Sequence, residues 1–96
     1  MSLKELVKSK REEILRLAAL HGAFNVRVFG SAARGEDDDK SDIDLLVEME
    51  SNRSLMDHAA LLADLESLLG HSVDVAPQDD LRPKIKDRVL REAIPL

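Results

Sequence analysis

Leu3, Leu6, Val7, Ile14, Leu17 and Ala18 recur at the spacing that gathers apolar side chains on one helical face, which predicts an N-terminal helix. Ser2 and Glu5 stand ahead of it as a capping box, hydroxyl and carboxylate taking up orphan N–H groups, and Gly22 is placed to end it. From Phe24 to Phe29 the pattern alternates and is rich in β-branched and aromatic side chains, so a short strand follows. Gly30-Ser31 breaks that strand, and Ala32-Ala33-Arg34 begins a short helical turn before Gly35. After the polar stretch 36–41, alternation returns over Asp42 to Met49. Ile43, Leu45, Val47 and Met49 share one face of this strand, and Asp42, Asp44, Leu46 and Glu48 the other.

Ser51-Asn52-Arg53 is a turn, and Ser54 with Asp57 forms an acidic capping box for a helix running to about Leu69. Leu55, Ala59, Leu62, Leu65 and Leu69 supply its expected apolar face, and Gly70 stops it. Ser72 to Ala76 reads as a third strand, with Val73 and Val75 facing one way and Asp74 the other, until Pro77 ends it. Asp79 or Asp80 is placed to cap a last helix from Leu81 to Ala93, with Pro83 tolerable in its first turn. The order α-β-(short α)-β-α-β-α predicts an α/β fold, a small mixed β-sheet packed with helices, as a single domain over residues 1–96.

Composition narrows the classes. The core is aliphatic, because Phe24 and Phe29 are the only aromatics, so base-stacking on single-stranded nucleic acid is poorly supported. Apolar runs such as Leu45-Leu46-Val47 fall far short of the ~20 residues that cross a bilayer, and the charged Ser2 to Arg16 segment holds no signal-peptide core. With no Cys there is neither disulfide framework nor thiolate metal site, which suits a reducing cytoplasm, the expected location. The net charge of −5 argues against a broad phosphate-backbone footprint, so no direct nucleic-acid binding is expected. That charge is uneven: +4 over residues 1–34, −7 over 35–50, −5 over 51–80 and +3 over 81–96. Glu36-Asp37-Asp38-Asp39 reads as a solvated loop.

Three other carboxylates differ in kind. Asp42 and Asp44 lie two apart on a predicted strand, so they project from one face about 7 Å apart. Asp74 takes the corresponding position on another strand, and if the two strands are neighbours all three converge on one patch. Like-charge repulsion there would raise at least one pKa, and a hard divalent cation such as Mg²⁺ would relieve it. The plainer reading, that strand-edge aspartates face solvent, stands beside this one. Upstream, Gly30 permits close backbone approach and Ser31 offers a hydroxyl and an N–H to an anionic oxygen, although Gly-Ser after a strand also makes an ordinary turn.

Taken together, Gly30-Ser31, ten residues, then Asp42-Ile43-Asp44 resembles the signature of the nucleotidyltransferase superfamily related to DNA polymerase beta. Ala33-Arg34-Gly35 and Ser41-Asp42-Ile43-Asp44-Leu45 match its smallest branch, the minimal nucleotidyltransferases, and the likeness extends through Val73-Asp74-Val75 to the closing Leu90-Arg91-Glu92-Ala93-Ile94. The resemblance implies a polymerase beta palm-like fold and an Mg²⁺-dependent transfer of AMP from ATP to a hydroxyl. It implies that Gly30 and Ser31 hold the β and γ phosphates, that Asp42 and Asp44 ligate two Mg²⁺ ions, and that Asp74 completes the metal site and helps deprotonate the acceptor. Arg34 either reaches a phosphate or pairs with the acidic loop. Minimal nucleotidyltransferases commonly pair with HEPN-domain toxins, so the resemblance further implies an antitoxin that adenylylates a tyrosine hydroxyl of such a partner in a hetero-oligomer. The chain itself holds no Tyr.

Two competing readings are a non-catalytic antitoxin that neutralises by contact, and transfer to a small molecule. The intact Ser31, Asp42, Asp44 and Asp74 weigh against the first, and the lack of residues for an acceptor-holding helical domain weighs against the second. His21, His58 and His71 lack ligand spacing and read as surface or capping residues, while Arg82, Lys84, Lys86, Arg88 and Arg91 read as a solvated basic helix face or, alternatively, as a contact for a nucleic acid or an acidic partner.

Overall fold

In a computed structural model describing residues 1–96, Ser2 caps the first helix, α1 (Leu3–Ser9), its hydroxyl accepting the Glu5 N–H at 3.1 Å. The Glu5 carboxylate accepts from the Ser2 hydroxyl at 3.0 Å and not from the Ser2 N–H, so only half of the expected capping box forms. Asp37 accepts the Leu3 N–H at 3.2 Å, so one member of the expected solvated acidic loop is tied to the helix start. The single N-terminal helix expected from the sequence is instead two, with Lys10 (φ −110°, ψ 17°) between α1 and α2 (Arg11–Leu20). The reason lies in the pattern: Lys8 to Glu13 is wholly polar, so nothing holds the middle of a straight helix to the core. Breaking there buries Val7 and Ile14 alike.

Gly22 follows α2 at φ +80°, as expected for a helix stop, and β1 (Ala23–Phe29) begins. Its alternation is interrupted, because Asn25 takes φ +52° and the register with the neighbouring strand shifts between Phe24 and Arg27. Val26, Arg27 and Val28 are consequently all buried. Arg27 is accommodated by hydrogen bonds to Gln78 Oε1 at 2.6 Å and to the Asn25 carbonyl at 3.1 Å. A short helix, α3 (Gly30–Arg34), and the acidic loop lead into β2 (Ile43–Met49).

The capping box of Ser54 and Asp57 forms in full at the start of α4 (Leu55–Leu69), and Gly70 ends that helix in the left-handed region. Its buried stripe is Leu61, Leu65 and Leu69; Leu55 is 81 % exposed and Ala59 is exposed too, against expectation. So many positions of this helix are apolar that periodicity admits several faces, and packing selects one. The strand β3 (Val73–Pro77) keeps Pro77 within it, followed by a 3₁₀ turn (Gln78–Asp80). Neither Asp79 nor Asp80 caps the last helix. Pro83 forces Arg82 into an extended conformation (φ −65°, ψ 140°), so α5 (Pro83–Glu92) cannot begin at Leu81. An unforeseen fourth strand, β4 (Ile94–Pro95), closes the fold.

The sheet order is β3-β2-β1-β4, with β1 antiparallel to both β2 and β4, and β2 parallel to β3 across α4. This is the α/β arrangement with a small mixed sheet that the sequence predicts. One face of the sheet supplies Val28, Ile43, Leu45, Val47, Val73 and Val75 to the core, where they meet Val7, Ile14, Leu61 and Leu65. By the two-residue period of the strands, Asp44 and Asp74 project from the opposite face. Leu46 shares that face yet is fully buried, lying alongside the 3₁₀ turn.

Candidate active site

The central strand β2 sets the position of each carboxylate. Asp44 pairs in register with Asp74 of β3 on one side and with Phe29 of β1 on the other. The strands that carry Asp44 and Asp74 are therefore neighbours, as convergence requires, and in-register residues of adjacent strands lie about 4.8 Å apart. Asp42 precedes β2 by one residue and is exposed, Asp74 is exposed, and Asp44 is half-buried. Burial pushes the Asp44 carboxyl up to about 6, the charges of Asp74 and Asp42 add to the rise, and Arg34 opposes it. The three carboxylates do feel one another, but no three acidic or histidine side chains are drawn into one closed ligand shell.

That openness suits the chemistry of the donor set. Mg²⁺ takes hard oxygen ligands and is held by one or two carboxylates, with water and substrate phosphates completing the octahedron. Unpaired carboxylates in register, with one carboxyl already destabilised as an anion, fit such an ion.

Phe29 opposes Asp44 at the end of β1, so the residue that follows, Gly30, enters the same space. Gly30 adopts φ +71°, and a Cβ built there would collide with Asp44 Oδ2 and lie 3.2 Å from the carboxyl carbon. Only glycine permits this approach. The Ser31 hydroxyl makes no hydrogen bond within the chain and is free for a ligand. Arg34, at the end of α3, donates through Nε to Glu36 Oε2 at 3.3 Å and through Nη1 to both carboxylate oxygens of Glu92 at 3.0 and 3.2 Å. It thus meets the acidic loop, one of its two expected roles, and a carboxylate that sequence reasoning did not single out. Glu92 also accepts the Gly30 N–H at 3.1 Å. No local signal marks Glu92 in the sequence, since it reaches this site from 62 residues away.

The other candidates lie apart. His21 Nε2 is 2.7 Å from Asp64 Oδ2 and joins α2 to α4, and His58 Nε2 is 2.7 Å from the Val75 carbonyl. Both behave as capping or bracing residues. None of the basic residues of α5 forms an ion pair, in keeping with a solvated face. A groove of about 330 Å³ lies between the first two helices and β4, flanked by Lys4, Lys8 and Arg11, and includes none of the carboxylates. The acidic site is an open patch on the sheet, separate from that groove.

Residues 7–96 match the family model described as a nucleotidyltransferase domain. The protein adenylyltransferase MntA of Thermococcus cleftensis is 35% identical over 94 residues, covering 98% of this chain and 95% of that protein. A Methanocaldococcus jannaschii protein provisionally named a protein adenylyltransferase is 40% identical over 84 residues, covering 88% and 90% of the two chains. A solved structure provisionally described as a minimal nucleotidyltransferase superposes with a TM-score of 0.89 at 52% identity, covering 100% of this chain and 97% of its own. A chain from a crystal structure of a toxin–antitoxin with AMP-PNP shares the fold, with a TM-score of 0.74 at 21% identity over 88% of this chain and 69% of that one.

Proposed function

The chain belongs to the nucleotidyltransferase domain family, and on that premise we propose that it is a protein adenylyltransferase that moves AMP from ATP to a hydroxyl of a partner protein. The observation that carries this reading is the in-register pair Asp44 and Asp74 with the Gly30-Ser31 turn pressed against Asp44. The adenylyltransferase names of the relatives supply the class of acceptor. The partner in this reading is a HEPN-domain toxin, its acceptor a tyrosine hydroxyl, and the present chain its antitoxin. A toxin–antitoxin structure with the same fold and a bound nucleotide analogue accords with that role. All 96 residues act as one catalytic domain, with the partner supplying the acceptor.

In this scheme the acceptor oxygen attacks the α-phosphorus in line, a new P–O bond forms, the bond to the bridging oxygen breaks, and pyrophosphate leaves. Asp74 takes the proton of the acceptor hydroxyl. Asp42 and Asp44, with Asp74, are the residues that would hold two Mg²⁺ ions, whose chemistry is to stabilise the attacking and leaving oxygens. Gly30 and Ser31 hold the β and γ phosphates, Gly30 by letting the backbone approach closely and Ser31 through its N–H and hydroxyl, and Arg34 stands beside them.

The test is incubation of the protein and its partner with α-labelled ATP and Mg²⁺. Label is expected on the partner, and D42N and D44N are expected to lower its rate by at least a hundredfold. Toxin neutralisation that survives both substitutions would replace this reading with inhibition by contact alone.

A further inference from the structure

Glu92 is the last residue of α5 and makes three contacts at the edge of the acidic patch. Its Oε1 accepts the Gly30 N–H at 3.1 Å and Arg34 Nη1 at 3.2 Å, and its Oε2 accepts the same Nη1 at 3.0 Å. The Glu92 side chain is only 20 % exposed, while that of Arg34 is 43 % exposed. A half-exposed cation is thus clamped by a mostly buried anion. Glu36 closes the clamp from the other side through Nε, which leaves Arg34 Nη2 without a partner in the chain.

Both groups that Glu92 holds belong to the turn assigned to the phosphates. Gly30 is pressed against Asp44 at φ +71°, so a shift of its backbone alters the distance between that turn and the carboxylates. Arg34 carries the cationic head that Glu92 grips, and its long side chain has several rotamers, whose entropy is lost whenever it is fixed. Fixing it in the free protein removes that cost from ligand binding.

We propose that Glu92 is a positioning residue that holds the Gly30 backbone and the Arg34 guanidinium in place to receive the triphosphate, so that the carboxyl end of α5 sets nucleotide affinity. Its charge is engaged on Nη1, and Nη2 makes no hydrogen bond within the chain and so keeps its donors for an anion. The proposal rests on the nucleotidyltransferase reading for the identity of the ligand, but not on the identity of any acceptor. The helix ends at Ala93 in extended backbone, and β4 pairs Ile94 with Val28, which pins the end of α5 beside β1 and so beside Gly30.

The experiment measures binding of MgATP to the full chain by calorimetry, with no acceptor present, alongside transfer kinetics with the partner. E92A is expected to weaken MgATP binding about tenfold and to raise KM by a similar factor, with kcat changed less than threefold. E92Q retains an oxygen that accepts the Gly30 N–H, and is expected to recover at least half of that loss on a logarithmic scale. In an R34A background, E92A is expected to add about threefold, the share carried by the Gly30 contact, and not the full tenfold. Circular dichroism and the melting temperature of each variant establish that it is folded. Unchanged affinity in a folded E92A variant overturns the proposal, and so does a loss confined to kcat. If the wild-type chain binds MgATP but labels no partner, the proposed function fails while the affinity series still decides the role of Glu92. If it binds no nucleotide, both fail.

Discussion

Asp44 stands where burial and two neighbouring carboxylates oppose its ionisation, and its pKa is raised from an ordinary 3.8 to about 6. Between those values the folded chain keeps a proton that the unfolded chain has released. The folded state therefore binds more protons in that window, and the contribution of Asp44 to stability falls as pH rises from about 4 to about 6. Screening by the solvent around a half-exposed carboxyl reduces the effect to about 1 kcal/mol. D44N is accordingly expected to raise the melting temperature at pH 7, without divalent ions, by about 4–8 °C and to have no such effect at pH 3.5. Thermal scans at the two pH values check this; an equal shift at both would point to something other than the charge. Asp42, Asp44, Gly30 and Ser31 were legible in the sequence because their spacing is local to one strand-turn-strand unit. Glu92 was not, because its role depends on where a helix 62 residues away comes to rest.

Among the elements, α4 emerged with the bounds that its punctuation predicts. The helix α4 has a complete capping box at one end and a left-handed glycine at the other, so local hydrogen bonds define it before any tertiary contact forms. Which face it buries is a different matter. Leu55 and Leu61 are equally apolar, yet the first is 81 % exposed and the second is fully buried. Leu61→Ala is expected to cost about 2–5 kcal/mol and Leu55→Ala less than about 0.5 kcal/mol. Urea denaturation of the two variants measures the difference, and similar midpoints would mean that α4 packs by another face. The N-terminal helix shows the converse case, since helical spacing of apolar residues on both sides of Lys10 concealed a polar stretch long enough to break it. β4 escaped sequence reading because a two-residue strand has no periodicity of its own and exists only through its pairing with β1.

At the scale of the whole molecule, the most acidic stretch, −7 over residues 35–50, runs into the strand that carries Asp44. A divalent ion held there would bind the folded state and not the unfolded chain, and at ten times its Kd it would add about 1.4 kcal/mol to stability. Mg²⁺ is therefore expected to raise the melting temperature of the wild-type chain, a chelator to reverse the rise, and D42N/D44N to abolish it. Equal shifts in both proteins would place the ion elsewhere. The α/β class, the strands β1 to β3 and the motif were determined by the sequence alone, since periodicity, caps and short spacings act between residues close along the chain. Only the tertiary structure decided that β2 and β3 lie side by side with Asp44 in register with Asp74, that Arg27 is buried beside Gln78, and that Glu92 closes on Gly30 and Arg34. Those contacts join residues far apart in the chain, and they form only when the apolar face of the sheet is covered and its strands are fixed in order.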